Sequence, residues 1–409
     1  MENNLEKEKD IKNEVEREIN ELWETKLKEN FIKELNSNFE KMMKGIQDHL
    51  DLNKKEIAKN IDQLVNVKKP EDIKSKMNEY CNNVIYENNT NVLVNLILIC
   101  LSNIEPLVFF CLGNQKNEIL KKIRDKENLF SLLIEFFNNV WLNNNNYNPI
   151  KIHNLLKLNK EKYDSKNPGD IINFILSKLN DELNFNKNIN NNNNINRYVK
   201  EEVLISFKET IKSNKTKISD LFFVNYQIKK TCRQCDVETF YYEQKPIINL
   251  YIQQQIKNSF VLVGKLKDIS LKHNFNFLLN DYIDVEEDCE FCPNKIKCKV
   301  NNAIKGFDND ILIINLNRGE DISPAFIRNV DFPPKITLEL ENAQFNYGII
   351  SILNRNTPLN DKEYNLYCKN FMNNKWYVYN KNNVKIENNE KEIFNGHKAL
   401  LLIYKKLNN

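Results

Sequence analysis

Residues 232–235 read Cys-Arg-Gln-Cys and residues 289–292 read Cys-Glu-Phe-Cys, so two CxxC units are separated by the 53 residues 236–288. Two thiolates at positions i and i+3 of a tight turn can bind one Zn²⁺, and a second pair completes a tetrahedral four-cysteine site. A redox pair of the thioredoxin kind needs a βαβ setting, which is not visible here, and a chance arrangement is the other alternative. The sequence therefore predicts a structural zinc ion bound by Cys232, Cys235, Cys289 and Cys292, with Cys298 outside the ligand set.

The hydrophobic periodicity changes just before the first of these units. Up to about residue 216 apolar residues recur at helical spacing, as in 171–183, and the stretch 93–101 is apolar on nearly all sides, as in a buried helix. Short β-prone runs between turn residues follow, beginning with 221–224, 247–252 and 311–316. Helices first and strands second predict an α+β fold rather than alternating βαβ units.

The composition limits the class of protein. The 409 residues carry 59 Lys and Arg against 56 Asp and Glu, and this net charge of +3 argues against a general nucleic-acid binder. Glycine is scarce, and neither of the two Gly-rich phosphate-binding motifs is present. The charged N-terminus MENNLEKEKD has no secretory apolar region, and the apolar run 92–101 is too short for a membrane helix. Nine cysteines without a secretion signal then indicate a reducing compartment, cytoplasmic or nuclear.

Two segments differ from the rest of the chain. Residues 1–80 combine helical apolar spacing with alternating acidic and basic residues. They are predicted to form a charged helical region, either a solvated appendage or a coiled-coil-like arm that binds a protein partner. Residues 185–197 contain the Asn-rich run NKNINNNNNINR, which predicts a disordered surface insertion.

Several further stretches occur in the order found in one family of cysteine peptidases. The stretch 95–107, NLILICLSNIEPL, is similar to the helix after that family's catalytic cysteine, and 170–184, DIINFILSKLNDELN, is similar to its Gln-Asp box helix. The stretches 221–235 and 311–319 are similar to the strand before the first zinc knuckle and to the central palm strand. The C-terminal palm is matched by 347–353, 363–364, 375–380 and 399–406. With both CxxC pairs in place, residues 81–407 resemble the ubiquitin-specific proteases.

The resemblance implies a papain-like ubiquitin-specific protease fold for residues 81–409, after the N-terminal helical region. A helical thumb, about residues 81–215, would face β-rich fingers and a palm, about residues 216–409, and the zinc ion would tie the fingertips together. In the family, ubiquitin lies in the fingers and its tail runs between thumb and palm. The implied partners are ubiquitin or a ubiquitinated protein, and a protein partner of the N-terminal helices; neither nucleic acid nor a membrane is expected.

The family's catalytic positions carry unsuitable side chains in this sequence. The resemblance assigns the nucleophilic cysteine to Val92, which has no thiol, and the histidine to Glu363 in the segment Lys-Glu-Tyr. The third triad position falls on Asn380, which the family pattern allows. The oxyanion-stabilising Asn falls on Glu87, whose carboxylate would repel a developing negative charge. Because loss of a triad nucleophile alone costs several powers of ten in rate, no catalytic function is expected to be retained.

Two segments imitate the missing motifs without replacing them. In the segment 111–114, Cys-Leu-Gly-Asn, the cysteine precedes the Leu-Gly-Asn motif instead of following it, and the segment 396–397, Gly-His, lies beyond the expected triad. The sequence therefore favours a pseudoprotease that acts by binding in the ubiquitin pathway. The alternatives are an active deubiquitinating cysteine protease with a rearranged site, built on Cys100 or Cys111, and a zinc-ribbon nucleic-acid module, which the near-neutral charge disfavours.

Overall fold

The fold is given by a computed structural model of the chain. It describes Lys44, 269–270, 282–285, Cys289, Cys292 and the longer ranges 70–81, 91–123, 128–143, 147–185, 200–213, 215–252, 298–306, 309–318, 329–340, 343–355, 363–381 and 383–407. Most of the N-terminal region expected to be helical lies outside the described residues. So does the Asn-rich insertion, apart from Phe185 at its start.

The chain divides into two units, Met1–Asn66 and Val67–Asn409. The boundary predicted from the sequence lies at residue 80, whereas the residues just before it already pack on the second unit. The backbone N–H of Asn78 donates to the carbonyl of Trp141 at 2.8 Å, and Tyr80 stacks on Tyr377 with ring centroids 5.2 Å apart. Residues 70–80 are therefore part of the second unit.

The second unit begins with helices. Besides a 3₁₀ turn (Lys160–Lys162), the α-helices within the described residues are α1 (Pro70–Lys74), α2 (Val92–Ser102), α3 (Glu105–Leu112), α4 (Lys116–Lys122), α5 (Leu129–Leu142), α6 (Ile150–Lys157), α7 (Pro168–Leu183), α8 (Lys200–Ser213), α9 (Lys217–Phe222) and α10 (Glu390–Ile393).

Helix α2 lies at the centre of this helical part, since its residues from Leu93 to Ser102 are all buried. It packs against α3, α7 and the strand at residues 364–369. Within the described residues, no single helix is both long and apolar enough to cross a membrane. Helices α2 and α3 are long and apolar enough only when they are taken together, and the angle between them is 83°.

The remainder of the unit is built from strands. They are β1 (Val224–Cys232), β2 (Glu238–Lys245), β3 (Ile248–Tyr251), β4 (Ile269–Ser270), β5 (Tyr282–Val285), β6 (Cys298–Gly306), β7 (Ile311–Asn317), β8 (Val330–Asp331), β9 (Lys335–Leu340), β10 (Ala343–Arg355), β11 (Tyr364–Lys369), β12 (Trp376–Tyr379), β13 (Val384–Ile386) and β14 (Ala399–Lys406).

The larger sheet has the strand order β13-β12-β11-β10-β14-β7-β3, and β9 pairs with the first half of β10. Its central strands β7 and β14 are nearly continuous apolar runs, as expected for strands covered on both faces. One covering element is α7, which packs on β7 and β14. Glu105 of α3 also contacts the sheet, because its carboxylate pairs with Lys405 of β14 at 2.6 Å.

The smaller sheet is antiparallel, with the order β2-β1-β6-β5. Its central pair aligns Thr231 with Lys299 and Cys232 with Cys298. Helix α8 covers β2, where Phe207 stacks on Tyr242 with ring centroids 5.2 Å apart. The β1–β6 ladder therefore ends, within the described residues, at Cys232 of the first CxxC unit.

The structure confirms the predicted α+β fold and corrects one local prediction. The run 221–224 was expected to be extended, but Leu221 and Phe222 end helix α9 and the strand begins only at Val224. The helix forms because Thr216 and Ser219 make a capping box, in which each side chain accepts a hydrogen bond from the other residue's backbone N–H. Burial of the apolar face of α9 then outweighs the β-propensity of its last residues.

Candidate functional site

Val92 is the first residue of helix α2 and is half-buried. The helix begins there because the side-chain oxygen of Asn91 accepts hydrogen bonds from the backbone N–H groups of Leu93 and Val94, at 2.9 and 3.4 Å. The Asn91 amide nitrogen in turn donates to the carbonyl of Ser165 at 3.1 Å. Two of the N–H groups at this helix start, which would otherwise be open to an anion, are therefore already hydrogen-bonded within the chain.

A buried polar pair lies one helical turn further along α2. Asn95 and His153 are almost fully buried, and the Nε2 atom of His153 is 2.6 Å from the side-chain oxygen of Asn95. Burial, reinforced by the charge of Lys157, lowers the pKa of His153 to about 4. The imidazole is therefore neutral near pH 7 and acts as a hydrogen-bond donor to Asn95.

Glu363 and Asn380 lie at the same end of the larger sheet. Glu363 is exposed and directly precedes β11, and Asn380 directly follows β12. The two strands are antiparallel neighbours with Leu366 opposite Tyr379, which brings the start of one beside the end of the other. The Asn380 side chain accepts a hydrogen bond from the backbone N–H of Asn383 at 3.0 Å, so it closes the turn after its strand.

Glu87, the expected oxyanion position, lies outside the described residues. The assignments of Val92, Glu363 and Asn380 to catalytic positions likewise stay predictions from the sequence. Their described side chains comprise one aliphatic group, one carboxylate and one amide, and none of these is a thiol or an imidazole.

The cysteines that could replace the nucleophile are deeply buried. Cys81, Cys100, Cys111 and Cys368 are each at most 1% exposed. Burial raises the pKa of the Cys81 thiol to about 12 and raises the pKa of Cys111 as well. Two of these thiols also contact one hydroxyl group, since the Oγ of Ser351 is 3.2 Å from the Cys100 sulfur and 3.3 Å from the Cys368 sulfur. These environments favour inert structural thiols.

His397 of the Gly-His segment is exposed, two residues before β14. Its backbone N–H donates to the side chain of Asn395 at 3.2 Å. Gly396 is buried against the chain at Val330, where a Cβ atom would overlap the Val330 carbonyl. This close approach gives the glycine a packing reason that needs no catalytic role.

The four cysteines of the CxxC units do come together. Their sulfur atoms all lie within 4.8 Å of one another. Cys232 and Cys292 are 3.7 Å apart at sulfur, and Cys235 and Cys289 are 3.6 Å apart. Sulfurs around a tetrahedral ion with Zn–S bonds of about 2.3 Å are separated by about 3.8 Å, so this donor set fits Zn²⁺.

The first CxxC turn favours the thiolate form that zinc requires. The backbone N–H groups of Cys235 and Gln234 lower the pKa of the Cys232 thiol to about 6. Asp236, with φ of 53°, then turns the chain back into β2, and its backbone N–H donates to the Cys232 carbonyl at 3.2 Å. Cys232, Cys235, Cys289 and Cys292 would hold the ion, which supplies a structural link between β1 and the segment before β6.

Comparison with known protein families decides the relationship. The model of the ubiquitin carboxyl-terminal hydrolase family matches residues 86–404, more than three quarters of the chain. The chain belongs to the ubiquitin carboxyl-terminal hydrolase family. A comparison with curated proteins finds no significant match.

Solved structures similar to this ubiquitin carboxyl-terminal hydrolase domain share its fold at low identity. A yeast SAGA DUB module with a mutant Sgf73 matches with a TM-score of 0.54 and 14% identity, over 80% of this chain and 68% of that chain. The SAGA module with a serine-to-asparagine variant of Ubp8, with Sgf11, Sus1 and Sgf73, matches with a TM-score of 0.54 and 16% identity, over 87% of this chain and 74% of that chain. The module with a cysteine-to-alanine variant of Ubp8, bound to monoubiquitin, matches with a TM-score of 0.52 and 14% identity, over 80% and 69%.

Two features of the site were not foreseen from the sequence. The Asn95–His153 pair joins residues 58 apart, and the only available signal was a histidine within an amphipathic helix. The alignment of Cys298 with Cys232 depends on strand register, which the spacing of the cysteines does not reveal.

Proposed function

We propose that this chain is a pseudoprotease, a ubiquitin carboxyl-terminal hydrolase fold that binds ubiquitin or a ubiquitinated protein without hydrolysing it. The observation that carries the proposal is Val92, an aliphatic side chain at the capped start of the buried helix α2, where the resemblance expects the nucleophilic cysteine. An aliphatic group has no lone pair with which to attack a carbonyl carbon. Glu363, at the expected histidine position, is an exposed carboxylate and not an imidazole.

The family features that this chain retains support a binding function. The four-cysteine cluster, the buried helix α2 and the continuous larger sheet keep a defined scaffold. One neighbour of the same fold is described as bound to monoubiquitin, and others as complexes with Sgf11, Sus1 and Sgf73. By analogy, ubiquitin is the first partner to test, a protein partner of the N-terminal region is the second, and a cytoplasmic or nuclear location is part of the same proposal.

The test is a calorimetric titration of the full chain with monoubiquitin. We expect saturable binding with a Kd in the micromolar range, and weaker binding of ubiquitin truncated at its C-terminal tail. The variant Val92→Arg would place a long charged side chain in the expected path of the tail, so it should weaken binding about tenfold or more. Ile386→Arg is the matched control, because Ile386 is 42% exposed on the edge strand β13 and lies at the opposite end of β12 from Asn380.

Two results would contradict binding of ubiquitin at the start of α2. One is the absence of heat or spectral shifts with about millimolar ubiquitin. The other is equal affinity of the wild-type chain, Val92→Arg and Ile386→Arg, which would move any binding site away from the start of α2. Turnover of a ubiquitin conjugate would contradict the pseudoprotease itself.

A further inference from the structure

A fifth cysteine lies on the strand of the smaller sheet next to the one that carries Cys232. Cys232 is the last residue of β1 and Cys298 is the first residue of β6, and the two are directly opposite in the antiparallel register. Cys298 is not among the four sulfurs that lie within 4.8 Å of one another. Both residues are buried, with 2% and 5% of their surfaces exposed.

The hydrogen bonds of Cys232 show which kind of cross-strand pair this is. The backbone N–H of Cys232 donates to the Val237 carbonyl at 3.0 Å, and its carbonyl accepts from the N–H of Asp236 at 3.2 Å. Both backbone groups therefore point towards the β2 side and away from β6. Cys232 and Cys298 consequently form a non-hydrogen-bonded pair, the type in which Cα atoms lie about 4.5 Å apart and the side chains are closest.

This pairing meets the geometric requirement of a disulfide. Side chains of directly opposite residues project from the same face of an antiparallel ladder, with Cβ atoms about 4.5–5.5 Å apart. A disulfide needs Cα atoms about 4.4–6.8 Å apart and Cβ atoms about 3.5–4.5 Å apart, so only a small adjustment is required. Within the described residues, the pair is the last one of the β1–β6 ladder.

We propose that Cys232 and Cys298 form an oxidative modification site, in which a peroxide converts the pair into a cross-strand disulfide and releases the zinc ion. Cys298 is then the resolving thiol of the zinc site rather than one of its ligands. The inference depends on the zinc site alone and is independent of whether the chain binds ubiquitin.

The chemistry balances with hydrogen peroxide as the two-electron oxidant. The Cys232 thiolate attacks one peroxide oxygen, the O–O bond breaks, and hydroxide leaves to give a sulfenic acid. The Cys298 thiol then attacks the Cys232 sulfur, the S–O bond breaks, and water leaves with the thiol proton. Two sulfurs are oxidised by one electron each and the peroxide is reduced to two waters after hydroxide takes up a proton. Zinc loses one of its four thiolates and is held more weakly.

Other disulfides within the cluster compete with this one. The sulfurs of Cys232 and Cys292 are 3.7 Å apart, and those of Cys235 and Cys289 are 3.6 Å apart. Those four thiols are the proposed zinc ligands, whereas Cys298 is outside the four-sulfur cluster. The β1–β6 ladder places the Cys298 backbone directly opposite Cys232, which favours the cross-strand pair in the first oxidation step.

The test is treatment of the zinc-loaded full chain with hydrogen peroxide, followed by a colorimetric zinc assay and mapping of disulfides by mass spectrometry. Trypsin cleaves at a Lys or Arg on each side of Cys232 and on each side of Cys298, so the linked peptide contains no other cysteine. We expect this peptide to appear at the same rate as zinc release. Reduction with a thiol and addition of zinc should restore the metal content.

The variants Cys298→Ser and Cys298→Ala should keep zinc before oxidation and release it at least threefold more slowly under peroxide. Cys111→Ala is the matched control, a buried thiol outside the cluster, and it should behave as the wild type. Zinc release from the wild-type chain with Cys298 still open to alkylation would overturn the proposal. So would equal release rates in the wild type and the Cys298 variants. If neither variant folds, the wild-type disulfide map alone decides.

Discussion

The Nε2 atom of His153 donates a hydrogen bond of 2.6 Å to the side-chain oxygen of Asn95, and both side chains are buried beneath the start of α2. The pair joins α6 to the helix that carries Val92, so it contributes to the position of the proposed degenerate site. Its imidazole must stay neutral, because protonation would place a cation in an apolar interior.

Acid should therefore destabilise the fold through His153. Its pKa is lowered from 6.5 to about 4 in the folded chain, so the unfolded chain binds more protons between these values. The contribution of neutral His153 to stability is fully present above about pH 6.5 and is lost as the pH falls towards about 4. We expect the free energy of unfolding, determined by urea denaturation, to fall by roughly 2.5 kcal/mol through His153 between about pH 7 and about pH 4.5.

The variant His153→Gln keeps a donor for Asn95 and removes the titration. It should lower stability at both pH values but reduce the difference between them by most of that amount. His397→Gln, at an exposed histidine, is the control and should leave the acid effect intact. An unchanged pH dependence in His153→Gln would contradict the assignment.

Gly169 allows α7 to approach the larger sheet. A Cβ atom at this position would overlap the side chain of Asn315 on β7, whose amide donates to the Asn249 side chain at 2.7 Å. Gly169→Ala should lower the free energy of unfolding by about 1–3 kcal/mol through overpacking. Gly348→Ala is the matched control, since its Cβ would meet only the end of the Leu407 side chain at 3.1 Å. Equal losses in the two variants, by urea denaturation, would refute the explanation.

Removing one zinc ligand should empty the metal site. Cys235→Ser should reduce the zinc content from about one ion per chain to near zero, because three thiolates bind zinc much more weakly than four. Hydrogen exchange should then become faster in β1 and β6. Cys298→Ser should keep about one zinc ion, and loss of zinc in this variant would show that Cys298 is a ligand after all. Elemental analysis of both proteins makes the comparison.

The sequence predicted the main elements where periodicity and burial agree. Residues 171–183 lie in α7, because their apolar residues recur at helical spacing. The apolar run 311–316 lies in β7, because a short, continuously apolar run is typical of a buried strand. The prediction of a strand over 221–224 was wrong because Leu and Phe fit either a strand or a buried helix end. The cap at Thr216 stabilises the helix that contains Leu221 and Phe222.

The CxxC spacing predicted the metal cluster because the ligand chemistry itself restricts the arrangement. Pairs that form only through the tertiary fold were beyond prediction. Asn95 pairs with His153 through the packing of two helices, and Cys298 lies opposite Cys232 through strand register. Neither arrangement follows from the local sequence.

Hydrolysis of a ubiquitin–fluorophore conjugate by the full chain at stoichiometric concentration tests most directly whether the chain is a pseudoprotease. We expect fluorophore release at the rate of buffer alone, with or without iodoacetamide. Because Val92 and Glu363 supply neither thiol nor imidazole, a longer incubation should not change this result. Release well above the rate in buffer that iodoacetamide abolishes would contradict the pseudoprotease proposal and reveal a catalytic cysteine elsewhere in the chain.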